Sequence, residues 1–149
     1  MTESTRSLLA CAAALFDQGR TVDRLSRPLT AAALISMVVY PLITGRQPWV
    51  PIGFAMLVAL SGLAETYFAI RVGFDAALFH QLAGAPGTPD FAGIDAALVR
   101  LGLLPAATLD RPAEARVAGA RRLLGFQILA LVVQVLSVLI GASVALTWR

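Results

Sequence analysis

The sequence predicts an all-α integral membrane protein: a helical bundle with three transmembrane helices, the second and third extended into the cytoplasm, and short amphipathic helices beside them. Three observations carry this expectation. Of the 149 residues, 58% are hydrophobic and 14% charged, with a mean hydropathy of +0.76. The chain therefore lacks the polar shell that a soluble domain of this size lays over its core. Three segments reach the roughly 17 to 25 mostly apolar residues that a membrane-crossing helix needs. The cations, finally, gather on one side of these segments.

Residues 1–27 form a cytoplasmic amphipathic segment. The run LLAC at 8–11 resembles a lipoprotein cleavage box, but only MTESTRS precedes it, and a secretory signal needs an apolar stretch of at least about seven residues there. Cys11 is expected instead on a short helix from about Thr5 to Gln18, ended by Gly19. Leu8, Ala12, Leu15 and Phe16 share one face of that helix, which would lie along the membrane interface or pack on the bundle.

Residues 28–70 are a transmembrane hairpin. The first helix runs from Pro28 to Thr44, with Ser26 as its N-cap and Pro28 in the first turn, where a missing N–H costs little. A tight turn at Gly45–Pro48 leads to the second helix, apolar from Trp49 to about Ile70 except at Glu65.

Residues 71–122 continue both long helices into the cytoplasm. Arg71 to Ala83 contains no helix stop, and Trp49 to Ala83 would be about 50 Å long, well beyond a ~30 Å hydrocarbon core. Thr88 and Pro89 open an amphipathic helix, Asp90 to Leu104, ended by Pro105. Phe91, Ile94, Leu98 and Leu101 line one face of it, with Asp90 and Arg100 off that face. It would cap the bundle or dock on the membrane surface or a partner. The echo of GFDAALF in GIDAALV is a single copy, short of a repeat array. Thr108 or Asp110 caps the last helix, with Pro112 and Glu114 in its first turn, and residues 123–149 form the third span.

The charge distribution sets the orientation. All twelve cations are Arg: four precede the first span, six lie between the second and third, and only Arg46 and Arg149 remain for the other side. This split places the N-terminus and the long loop in the cytoplasm and the C-terminus outside, with Trp49 and Trp148 in the outer aromatic belt. The all-Arg, Ala-rich usage points to the inner membrane of a GC-rich bacterium.

The third span carries a heptad seam: Arg116, Ala120, Leu123, Gln127, Ala130, Gln134, Ser137 and Gly141 recur at alternating spacings of four and three. From Gln127 onwards these are small or amide-bearing residues, the types that let helices approach and hydrogen-bond in lipid. The second helix offers Ala55, Ala59, Gly62, Thr66, Ala69, Gly73, Ala76 or Ala77, and His80. The two seams are expected to pack on each other, or one of them on a second copy or another subunit.

Few groups could carry chemistry. Glu65 is the one acid in a span and a candidate proton, cation or partner contact; its plainer role is to reach the headgroups or to pair with Arg27 or Arg71. Arg121 and Arg122 would meet anionic headgroups. His80 would be solvated or in the seam. One Cys and one His leave no disulfide framework and no metal cluster of these residues within one chain. Neither a phosphate loop, a nucleophile set nor a basic-aromatic stripe for nucleic acid is present. Enzymatic activity, a cofactor and a nucleic-acid partner are not expected. The expected role is binding: an accessory, assembly or scaffold subunit of a membrane complex, or a homo-oligomer. The alternative is a small oligomeric pore or transporter whose path is lined by Gln127, Gln134 and Ser137.

Overall fold

A computed structural model describes residues 3–44, 49–86, 91–103 and 111–147. Among the described residues the chain forms five helices: α1 (Glu3–Asp17), α2 (Gly19–Thr44), α3 (Trp49–Gly84), α4 (Phe91–Arg100) and α5 (Ala113–Thr147). Three stretches are long and apolar enough to cross a membrane: Glu3–Ile43, which takes in α1 and most of α2, Trp49–Gly84 and Ala113–Leu146.

Helix α3 is the centre of the bundle and touches α1, α2 and α5. Its neighbours α2 and α5 run antiparallel to it. Gly62 faces Thr30 and Val72 faces Gly19 on α2, while Phe54 meets Gly141, Val58 meets Gln134 and Glu65 meets Gln127 on α5. These pairs fix the register of all three helices.

Two cores follow from two kinds of side chain. Around the C-terminal half of α3, Leu9, Ala12, Ala13 and Phe16 of α1 bury against Val72, Ala76, Phe79 and Leu82, closed by Ala113, Ala120 and Leu124 of α5. The Phe16 and Phe79 rings lie 5.7 Å apart. This resembles a water-soluble interior, where large apolar groups gain by leaving water. Around the N-terminal half of α3 the core is thin, with Ala33, Val58 and Ala59 buried and Leu29 packed beside them. There the outer faces carry large apolar side chains, among them Leu34, Ile35 and Val38 of α2, Leu57, Leu60 and Leu63 of α3, and Leu129, Leu136 and Leu139 of α5.

Several sequence expectations are corrected. Helix α2 does not begin at Pro28 but at Gly19, and runs through both Pro28 and Pro41. Ser26 is therefore no N-cap; it lies inside the helix, completely buried. On α1 the inward face turns by one position, so that Leu9 is buried and Leu15 exposed. On α3 the buried line below Glu65 is Val72, Ala76 and Phe79 rather than Gly73 and His80. That half packs under α1, where Phe16, Val72, Phe79 and Leu82 fill the space between alanines of α1, α3 and α5.

Helix α4 ends at Arg100 rather than Leu104. Gly102 has φ +70, and the Leu103 N–H donates to Leu98 O at 2.9 Å and the Gly102 N–H to Val99 O at 3.0 Å, a Schellman stop that glycine permits. Of the three docking options for α4, the bundle is the one observed: Phe91 and Ile94 pack against the larger core, while Leu101 is exposed. The capping roles given to Thr88, Thr108 and Asp110, the turn at 45–48, and Trp148 and Arg149 lie outside the described residues.

Candidate functional site

The polar side chains of the three long helices converge on one line where α2, α3 and α5 meet. On α2, Gly19, Asp23, Ser26 and Thr30 recur at four, three and four and so share a face. Gln127, Gln134 and Ser137 repeat at seven and three on α5. Glu65 and Gly62 face both from α3.

The upper tier is built on Gln134, which is completely buried. Its Oε1 accepts from the Ser26 hydroxyl at 2.8 Å, and its Nε2 donates to Thr30 Oγ1 at 2.8 Å and to Ser26 O at 3.3 Å. Thr30 in turn donates to Ser26 O at 3.0 Å. Gly62 is the reason this tier closes. A Cβ there would meet Thr30 Oγ1 and lie 2.6 Å from Gln134 Nε2. Ser137, also buried, donates back to Val133 O of its own helix at 2.7 Å. One turn further, Gly141 gives way to Phe54, whose Cβ would be 2.9 Å from an added Cβ.

The lower tier is built on Glu65 and Gln127, each with no exposed surface. Gln127 Nε2 donates to Glu65 Oε1 at 2.7 Å and to Gly19 O at 2.8 Å, so one amide ties all three helices. Gly19 is again a close approach, since a Cβ there would be 2.9 Å from Gln127 Oε1. Neither Arg assigned to Glu65 from the sequence pairs with it. Arg27 binds Asp23 Oδ2 at 2.6 Å, and the Arg71 guanidinium lies 5.2 Å over the Tyr67 ring. Three buried oxygens in this tier have no hydrogen-bond partner: Asp23 Oδ1, Glu65 Oε2 and Gln127 Oε1.

Ala59 lies with Ala33 of α2 in the thin core, Gly62 stands between Thr30 of α2 and Gln134 of α5, and Gly141 stands against Phe54 of α3. Arg121 and Arg122 are exposed and, with Leu8, Glu114, Val117 and Ala118, line an open groove of about 500 Å³ between α1 and α5. His80 Nε2 donates to Asp17 Oδ2 at 2.9 Å, and this contact holds the Asp17 carboxyl below its ordinary range. Asp75, half-buried on α3 beyond Ile70, is pushed up to about 6 by burial.

Sequence reasoning gave no role to Asp23, Thr30 or Asp95, and read Ser26 only as an N-cap and Arg116 only as the start of the α5 seam. Asp23, Ser26 and Thr30 were legible as a seam, but starting the first span at Pro28 cut that seam in two. Asp95 is buried at 1% exposure and takes both Arg116 nitrogens, at 2.7 and 2.6 Å. The same guanidinium lies 5.3 Å over the Phe91 ring, so α4 is pinned to α5 by charge and by ring stacking. No protein-family model, curated protein or solved structure matches the chain.

Proposed function

We propose that the protein is an integral inner-membrane protein of three spans that acts as an accessory, assembly or scaffold subunit of a membrane complex, or as a homo-oligomer. The observation that carries this reading is the direction of its polar groups. Ser26, Glu65, Gln127, Gln134 and Ser137 all point inwards and are at most 4% exposed. Outward lie Leu, Ile and Val over Leu29–Ile43 of α2, Trp49–Tyr67 of α3 and Phe126–Leu146 of α5, a surface suited to lipid or to apolar partner helices.

The register supports the same placement. Trp49 to Glu65 spans about 24 Å of helix, and at the level of Glu65 and just beyond it stand Arg24, Arg27, Arg71, Arg121 and Arg122, which suit the cytoplasmic headgroup layer. Residues 71–122 then lie in the cytoplasm, with the larger core. Because Gln127, Gln134 and Ser137 are closed within one chain, their burial favours assembly over a path lined by them. The outer surface, not a cavity, is what the protein offers a partner.

The test is the native mass and conductance of protein purified in mild detergent. We expect a stable particle heavier than one 15.7 kDa chain and no cation flux in proteoliposomes above empty vesicles. A monodisperse single chain would remove the assembly role, and flux that depends on Gln134 would install the pore in its place.

A further inference from the structure

The outer side of α5 changes character along its length. Glu114, Ala118, Arg122, Gly125 and Leu129 recur at four, four, three and four and so share one side of the helix. Towards the membrane this side is apolar, with Leu129 exposed, and it is low at Gly125, where an added Cβ would meet nothing within 4 Å. Arg121 and Arg122 come next. Beyond them opens the groove of about 500 Å³ against Leu8 of α1, floored by Val117 and Ala118 and closed by Glu114. Val117 and α1 are packed on the larger core, so both walls are held. Side chains on a helix lean towards its N-terminus, and the two guanidiniums therefore overhang the groove from its membrane end. Their charge is not matched within the chain. Among the described residues Arg20, Arg27 and Arg116 have carboxylate partners, whereas Arg121 and Arg122 have none.

We propose that this groove binds one anionic phospholipid, with its phosphate on Arg121 and Arg122, its acyl chains over Gly125 and Leu129, and the rest of its headgroup in the recess between α1 and α5. The sequence of surfaces along α5, apolar, then dibasic, then recessed, is the sequence of chain, phosphate and headgroup in a lipid of the cytoplasmic leaflet. Two adjacent guanidiniums offer forked N–H donors to a single phosphate. Glu114 stands seven residues before Arg121, about 10 Å along the helix, and its charge bars a second anionic group from the far end of the groove. The site therefore suits a lipid with one phosphate and an uncharged headgroup, such as phosphatidylglycerol. The level is also right. In the register set by Glu65 against Gln127, Arg121 stands opposite Arg71 of α3, which is exposed. This proposal rests on the membrane placement given above and goes beyond a general attraction of cations to headgroups, because it predicts saturable binding on one side of one helix.

The experiment is thermal melting of the full-length protein in a mild nonionic detergent, titrated with phosphatidylglycerol or with phosphatidylcholine, and native mass spectrometry to count the lipid retained. We expect the midpoint to rise saturably with phosphatidylglycerol alone and one lipid to be held per chain. Arg121→Gln combined with Arg122→Gln should need roughly tenfold more phosphatidylglycerol for the same rise. Ala118→Phe, at an exposed position, fills the groove without changing its charge and should weaken the response as well. Arg24→Gln combined with Arg71→Gln removes two exposed cations that do not line the groove, and should respond as the wild type does. Equal loss in that pair would replace the site by diffuse attraction and overturn the proposal. So would equal responses to the two lipids, a rise of the same size with inorganic phosphate, which would give the groove to a free anion, or dimers that Ala118→Phe dissociates without any lipid being held, which would give it to a second copy. The membrane placement fails by a different sign, recovery of the chain in the soluble fraction without detergent.

Discussion

At Gly62 an added Cβ would meet Thr30 Oγ1 and lie 2.6 Å from Gln134 Nε2, whereas at Gly125 it would meet nothing within 4 Å. Gly62→Ala should therefore cost roughly 1 to 3 kcal/mol by overpacking and by prising open the Gln134 hydrogen bonds. Gly125→Ala, on an exposed helical face, should be neutral or slightly stabilising by helix propensity. Equilibrium unfolding in mixed detergent would measure both, and equal effects would mean that the polar line is not where α2, α3 and α5 touch. A second prediction concerns Asp75, whose carboxyl burial pushes up to about 6 from its ordinary 3.8. The folded state then holds this proton to higher pH than the unfolded chain does. Its contribution to stability therefore falls as pH rises from about 4 to about 6 and is flat above that. Asp17 acts in the opposite sense, because its contact with His80 lowers its carboxyl; that contribution is present above the ordinary aspartate range and is lost on acidification. Subtracting the melting profile of Asp75→Asn from that of the wild type isolates the first effect, and a difference without a slope between pH 4 and 6 would refute it.

Among the elements, α4 depends most on a single contact. Its ten residues are too few for a stable isolated helix, and Phe91, Ile94 and the Asp95–Arg116 pair fasten it to the larger core. Asp95→Ala would leave the Arg116 guanidinium, whose side chain is only 15% exposed, without its carboxylate, at a cost of roughly 1 to 3 kcal/mol. Faster amide exchange confined to 91–100 and its contacts on α5 is the expected result; unchanged protection of α4 would mean that the apolar contacts suffice. The long helices were legible because their apolar runs exceed any soluble helix of this composition, and the α5 seam because Gln127, Gln134, Ser137 and Gly141 interrupt those runs at a strict spacing. What hid α2 was Pro28. A proline usually opens a helix, but here it stands midway between Ser26 and Thr30, whose hydroxyls, with the Ser26 carbonyl, are held by Gln134. Asp95 was hidden for a related reason: on an amphipathic face a carboxylate reads as solvated until the distant Arg116 that receives it is known.

At the scale of the whole molecule, two interiors lie end to end on α3. One, around Phe16, Val72 and Phe79, is held by apolar burial of the kind water drives. The other, around Gly62, Glu65, Gln127 and Gln134, is held by close approach and hydrogen bonds, which are the means left where lipid removes the hydrophobic driving force. The change from one to the other occurs where the Arg side chains gather, and this coincidence is the physical basis for placing the membrane boundary next to Glu65. In the orientation we propose, the native Cys11, exposed on α1, would lie on the cytoplasmic side of that boundary and the end of α5 on the other. The most direct test is therefore thiol labelling of intact cells with a membrane-impermeant maleimide, using native Cys11 and a cysteine appended after Arg149. The appended cysteine should label in intact cells, and Cys11 only after the inner membrane is opened. Labelling of Cys11 in intact cells, or equal labelling of both positions, would contradict the three-span arrangement and the orientation drawn from the Arg side chains.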